Sequence, residues 1–203
     1  MKKVIQDEFN PRNFFKSFFG IATGVLFSPK LFFGGMRRRG GLTNPLVFLV
    51  CCLLVHTLLV GLLRKSPGVI LWGLFTGVSF PFLTSGIVFL IIRQVFKAHG
   101  AYEAAFRIIA YASAVNLISW LPMSWIIMEV YRVYLMVVGI SIVFSLKASR
   151  AFLAIILTMA LYVLAFAAFT HFKGDPLDTA ERQSGLSKIS FSAASFDSVA
   201  KKA

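Results

Sequence analysis

Apolar residues in this chain run in blocks long enough to cross a bilayer, and basic residues mark most of the boundaries. At ~1.5 Å of rise per residue, about twenty helical residues cover the ~30 Å hydrocarbon layer. Five blocks meet or approach that length: residues 44–63, 68–92, 104–121, 123–146 and 151–170. The first lies between Arg37-Arg38-Arg39 and Arg64-Lys65, and Arg93 and Lys97 close the second. Pro122 separates the third from the fourth, and Lys147 and Arg150 bracket the turn into the fifth. The pattern predicts an all-α, polytopic membrane protein: a bundle over residues 44–171 with five transmembrane helices, preceded by an amphipathic interfacial helix. In the third block the uninterrupted apolar run begins only after Arg107, with Glu103 and Arg107 spaced i, i+4 at its start. A re-entrant segment is the alternative there, and the third and fourth blocks form a hairpin in either case.

Residues 1–43 read as a basic, Phe-rich cytoplasmic segment. Phe14, Phe15, Phe18, Phe19 and Ala22 recur at helical spacing, with Asn13, Lys16 and Ser17 on the other side. Such a helix is suited to lie in the headgroup layer, with Arg37, Arg38 and Arg39 as further contacts to the membrane surface. The competing expectation is that the Phe residues pack beneath the spans. Ser28-Pro29 reads as an N-cap followed by proline at the first helical position, opening a short second helix from Lys30 to Met36. Residues 172–203 are Ser-rich and are expected to form a flexible extracytoplasmic tail.

Composition agrees with a membrane protein: 58% of the 203 residues are hydrophobic, 14% are charged, and the mean hydropathy is +0.79. The formal net charge of +13 does not point to nucleic acid, because the cations sit at span ends with no groove-reading motif among them. They set orientation instead. With the N-terminus cytoplasmic, most Lys and Arg residues fall inside, and Trp72, Trp120 and Trp125 fall beside the outer loops. No secretory signal is expected, since Gln6-Asp7-Glu8 and Asn10-Pro11-Arg12 interrupt the place of an apolar core.

Candidate chemistry is sparse. The chain has no phosphate-binding G-x-x-x-x-G-K-[ST], no H-E-x-x-H and no G-x-S-x-G, and no Asp falls within a span. Cys51 and Cys52 are adjacent and apolar in context, and no His/Cys pattern offers metal-ligand spacing. No enzymatic activity, cofactor or metal is expected. The intramembrane polar candidates are Glu129 and Arg132, spaced i, i+3 near the middle of the fourth span, with Asn116 and His56. Charged groups at such depth face a partner or a wet cavity, so they form either a polar pathway or a structural ion pair. Ser113, Asn116 and Ser119 form a stripe suited to hydrogen bonds between helices, and Gly73 and Gly77 form a G-x-x-x-G suited to close helix packing.

The order of Ser28-Pro29-Lys30-Leu31-Phe32-Phe33, Gly40-Gly41-Leu42-Thr43-Asn44-Pro45-Leu46, Phe106 to Ala114, Trp120-Leu121-Pro122, Tyr131-Arg132-Val133-Tyr134 and Lys147 to Ala151 resembles the bacterial branch of the Yip family. These are five-span proteins whose eukaryotic members interact with Ypt/Rab GTPases. The resemblance covers about Phe14 to Thr170. It implies a multi-pass protein of a bacterial inner membrane, with the N-terminus cytoplasmic and the C-terminus outside, in line with the charge count. The Asp-Leu-x-Gly-Pro signature of the eukaryotic members is replaced here by Gly41-Leu42-Thr43-Asn44-Pro45, which argues against Rab binding. The expected role is a non-enzymatic scaffold whose basic, aromatic cytoplasmic face meets anionic headgroups, a protein partner or a second copy of the chain. The alternative is a small-solute transporter or channel subunit using the polar residues of spans 1, 3 and 4.

Overall fold

The structure, a computed structural model, describes residues 13–38, 40–65, 67–119 and 125–172. The expectations for residues 1–12, Arg39, Trp120, the Leu121-Pro122-Met123 turn and the tail beyond 172 lie outside the described residues. Seven α-helices and a 3-10 segment follow in order: α1 (Phe14–Phe27), α2 (Pro29–Gly35), α3 (Thr43–Arg64), α4 (Pro67–Gln94), α5 (Tyr102–Ala112), the 3-10 turn Ser113–Leu117, α6 (Trp125–Val143) and α7 (Ala148–Phe172). The chain divides into two compact units, residues 1–158 and 159–203.

Four of these helices, α3, α4, α6 and α7, are long and apolar enough to cross a membrane. Unlike the helices of a soluble domain, they are apolar on their outward faces as well as inside. The outward side chains include Leu54, Leu58 and Leu62 on α3, Leu71, Phe75 and Leu83 on α4, and Ile127 and Val130 on α6. The interior holds Thr57, Ser85, Arg107, Ser113, Asn116 and Thr158. An apolar exterior of this extent is what lipid selects, while the polar groups find partners inside. The described part of the second unit, the C-terminal stretch of α7, likewise exposes Met159, Leu161, Val163, Leu164, Phe166 and Phe169.

The third block departs from the single long helix expected over residues 104–121. Here α5 has 11 residues and passes into a 5-residue 3-10 turn. Together they extend roughly 26 Å, at ~1.5 and ~2.0 Å per residue. The Ser113 hydroxyl donates to the Ala110 carbonyl at 2.5 Å, the acceptor that the next α-helical turn would use. This segment is also the centre of the first unit. Every residue from Ala104 to Asn116 is buried, so it is enclosed by protein where a span would meet lipid. Its alanines, at 104, 105, 110, 112 and 114, let neighbouring backbones come close.

Glycine does the same on the facing helix. A Cβ at Gly139 of α6 would stand 2.6 Å from Ile108 Cγ2 and 3.3 Å from Phe33. Phe33 of α2 is thereby locked between α5 and α6 and is fully buried. On α1, Phe18, Ile21, Ala22 and Val25 face the core, and Phe18 meets Phe48 of α3 with ring centroids 5.2 Å apart. Tyr111 of α5 closes this aromatic group against Phe48 and Phe32. Phe18 is therefore no membrane-surface contact, a correction to the grouping of Phe14, Phe15, Phe18 and Phe19. The reason is geometric: adjacent residues on a helix point about 100° apart, so Phe18 turns inward while Phe19 turns out. The result is a helix apolar on both sides, with Phe18 and Ala22 in the core and Phe15 and Phe19 exposed.

Candidate membrane face and intramembrane polar site

Two groups of residues stand out in the first unit. The first lies on α1, α2 and the loop that follows. Phe15, Phe19, Phe27 and Leu31 are 74%, 61%, 81% and 77% exposed, beside exposed Lys16 and Lys30. The hydroxyl of Thr23, on the same outward side, is spent on the Phe19 carbonyl at 2.7 Å. Arg37 and Arg38 are exposed in the loop between α2 and α3.

That loop is held from below by α5. The Glu103 carboxylate accepts the backbone N–H groups of Gly40 and Gly41 at 3.2 and 3.3 Å. Arg107, with no exposed surface, donates from Nη2 to the Gly41 carbonyl at 3.0 Å and from Nη1 to the Arg37 carbonyl at 3.1 Å. Gly41 has φ +80°, a conformation that favours glycine and turns its N–H and C=O toward this pair. Beside the loop is a cavity of about 350 Å³ lined by Arg38, His99, Gly100, Ala101, Ala104, Val143 and Phe144.

The second group is within the bundle. Arg132 of α6 forms an ion pair with Glu129 at 3.3 Å, and its Nη2 donates to the Asn116 side-chain carbonyl. The main-chain carbonyl of Asn116 lies 3.2 Å from His56 Nδ1 on α3, and Ser119 Oγ lies 3.3 Å from both of these atoms. A carbonyl only accepts, so this contact places the ring proton on Nδ1. Glu129, Arg132, Asn116 and His56, scattered over 77 positions of the sequence, thus form one continuous network across three segments. Arg132 lies seven residues from the start of the 19-residue α6, within one turn of its middle. That is ~10 Å from the helix end at ~1.5 Å per residue.

Next to the network is a cavity of about 360 Å³, bounded by α3, α4, α5 with its 3-10 turn, and α6. His56, Thr57, Thr76, Thr84, Ser113, Asn116 and Arg132 supply its polar lining. Gly73 and Gly77 line it as well, and they set how closely α4 approaches α3: a Cβ at Gly73 would meet Thr57 at 2.9 Å, and one at Gly77 would meet Leu53 at 2.7 Å. Reading individual residues misses this wall. Gly73, Thr76, Gly77, Pro81 and Thr84 recur at intervals of three and four, a stripe of small and hydroxyl residues down one face of α4 that was visible in the sequence. Among the described residues no group of His, Cys, Asp or Glu has the arrangement of a metal site.

Tyr131, one position from Arg132, points elsewhere and donates to the Leu26 carbonyl of α1. It ties α6 to α1, near the membrane face, and takes no part in the polar network.

In comparison with known proteins, the family model described as the Yip1 domain aligns with residues 23–169. No curated protein and no solved structure matches the chain.

Proposed function

Given that the chain belongs to the Yip1 family of multi-pass integral membrane proteins, we propose that it acts without catalysis as a membrane-organising scaffold, engaging anionic lipid through its basic, aromatic face. The observation that carries this reading is the pairing of outward Phe15, Phe19, Phe27 and Leu31 with exposed Arg37 and Arg38 on the contiguous segment α1–α2–loop. Rings and aliphatic side chains of this kind sink into the acyl boundary, and the arginines meet phosphates, each worth ~1 kcal/mol near an anionic surface. The α5 clasp supports it by fixing the loop, so less ordering is required when headgroups bind.

In this reading the face is cytoplasmic, in the inner membrane of a bacterium, and the C-terminus is outside. The segment α5 plus its 3-10 turn, continued to α6, adds a fifth crossing to the four long helices. The test uses the full chain in bilayers of mixed lipid, with spin-labelled phosphatidylglycerol and phosphatidylcholine as probes. Preference for the anionic probe is expected to fall at least about twofold when Arg37 and Arg38 are both changed to Gln. An unchanged preference overturns the lipid reading.

A second reading, passage of a small polar solute, is favoured by the cavity beside Arg132. It requires flux into vesicles that Arg132→Leu abolishes while the fold survives. No flux across a broad solute panel removes it.

A further inference from the structure

Arg132 carries a hydrogen-bond donor that the protein leaves unanswered. Its two Nη groups meet Glu129 and Asn116, yet its Nε is buried with no acceptor among the described residues. An N–H buried in this way costs about 1–3 kcal/mol, more on a charged group, unless something accepts from it. Arg132 also lines the 360 Å³ cavity, so a shift of its guanidinium turns the enclosed Nε toward an acceptor held there.

The facing walls have the opposite need. The hydroxyl hydrogens of Thr57 and Thr76 are committed to the Leu53 and Trp72 carbonyls at 2.7 and 2.8 Å. What these side chains can still offer a ligand is oxygen lone pairs. Pro81, inside α4, has no N–H, so the Gly77 carbonyl lacks the donor that the helix normally supplies. The cavity therefore presents a cationic donor on α6 and a set of acceptors on α3 and α4. Thr57, Thr76 and Gly77 sit roughly 10–15 Å from the helix ends at the α3–α4 connection, counting residues at ~1.5 Å each.

We propose that this cavity binds an aminoethyl phosphate group, in which a phosphate and a primary ammonium are joined by two carbons. The phosphate oxygens accept from Arg132 Nε–H, and the ammonium donates its three N–H to Thr57, Thr76 and the Gly77 carbonyl. Opposite charges on one ligand match opposite demands across one cavity, and with the phosphate as a diester no net charge enters the membrane. A choline group has no N–H to give these acceptors, and a glycerol headgroup brings no cation. The group can come from a phosphatidylethanolamine or from free phosphoethanolamine, which share this chemistry.

The test is native mass spectrometry of the full chain in mild detergent, titrated with phosphatidylethanolamine, phosphatidylcholine and phosphatidylglycerol of identical acyl chains. Retention of the ethanolamine lipid is expected to exceed the other two by about tenfold. Thr76→Phe, which fills the cavity from α4, is expected to erase the difference. Thr76→Val keeps the volume and removes one acceptor, so a partial loss confined to the ethanolamine lipid is expected even if the Phe variant fails to fold. Equal retention of all three lipids, or a preference indifferent to Thr76→Val and to a folded Thr76→Phe, overturns the proposal and leaves the Arg132 donor to water. Competition by soluble phosphoethanolamine assigns recognition to the headgroup alone. A preference that survives such competition assigns the ligand to the lipid.

Discussion

Glu103 and Arg107, one turn apart on α5, hold the same loop from its two chemical sides: the carboxylate takes the N–H groups of Gly40 and Gly41, and the guanidinium takes the carbonyls of Gly41 and Arg37. The i, i+4 spacing that suggests a helix-surface ion pair places both groups on a piece of backbone more than sixty residues away. This makes a fully buried cation a support for the exposed Arg37 and Arg38.

Arg107→Met is accordingly expected to destabilise the protein by on the order of 2–4 kcal/mol, since two carbonyls lose their donor and the loop its anchor. Arg107→Lys is expected to recover little, because a single ammonium cannot span the two carbonyls as the planar fork does. Limited trypsin digestion reads the local effect: cleavage at Arg37 and Arg38 is expected to accelerate in both variants before any loss of helix. Unchanged digestion contradicts the clasp.

Gly139 offers a sharper test of packing. Gly139→Ala places a methyl on Ile108, a β-branched residue with little freedom to move, and is expected to cost about 1–3 kcal/mol. Ile108→Ala in the same chain should return part of that loss, a coupling measurable by a double-mutant cycle in denaturant. Gly86→Ala is the control. Nothing lies within 4 Å of its added methyl, so a gain of up to about 1 kcal/mol from helix propensity is expected.

Within the polar network, Asn116→Leu removes the neutral acceptor of Arg132 and is expected to cost about 1–3 kcal/mol. Changing Arg132 to Met as well should recover most of it, because the stranded donor is then gone. A double variant as unstable as the sum of the two singles would show that Arg132 and Asn116 act independently.

How much of this was legible in the sequence follows from the kind of signal each feature leaves. The blocks over residues 44–63, 68–92, 123–146 and 151–170 announce α3, α4, α6 and α7, because length and hydropathy are what lipid reads. Ser28 and Pro29 mark the break between α1 and α2 for a reason fixed by the backbone, although the Ser28 side chain makes no capping bond. The α5 segment was harder. Its Ala-rich apolar run reads as a span when seen alone, and only its enclosure by other helices allows it to be short. The facing of α1 was half legible: periodicity gathers the Phe residues, but which of them meets Phe48 depends on a partner distant in sequence. The network members were visible one by one as polar residues in apolar blocks. Their meeting was not, since it needs the 3-10 turn to carry Asn116 to the level of His56.

The central claim is that α1 and α2 lie against lipid through their outward apolar residues, and its most direct measurement is the depth of those residues in a bilayer. In a full chain with Cys51 and Cys52 replaced by alanine, spin labels are placed singly at positions 15, 19, 27 and 31 and at Arg38, and relaxation by oxygen is compared with relaxation by a water-soluble nickel complex. All four labels on α1 and α2 are predicted to be open to oxygen and shielded from nickel, with position 38 the reverse. Free access of nickel at positions 15, 19, 27 and 31 would place this face in water and contradict the account.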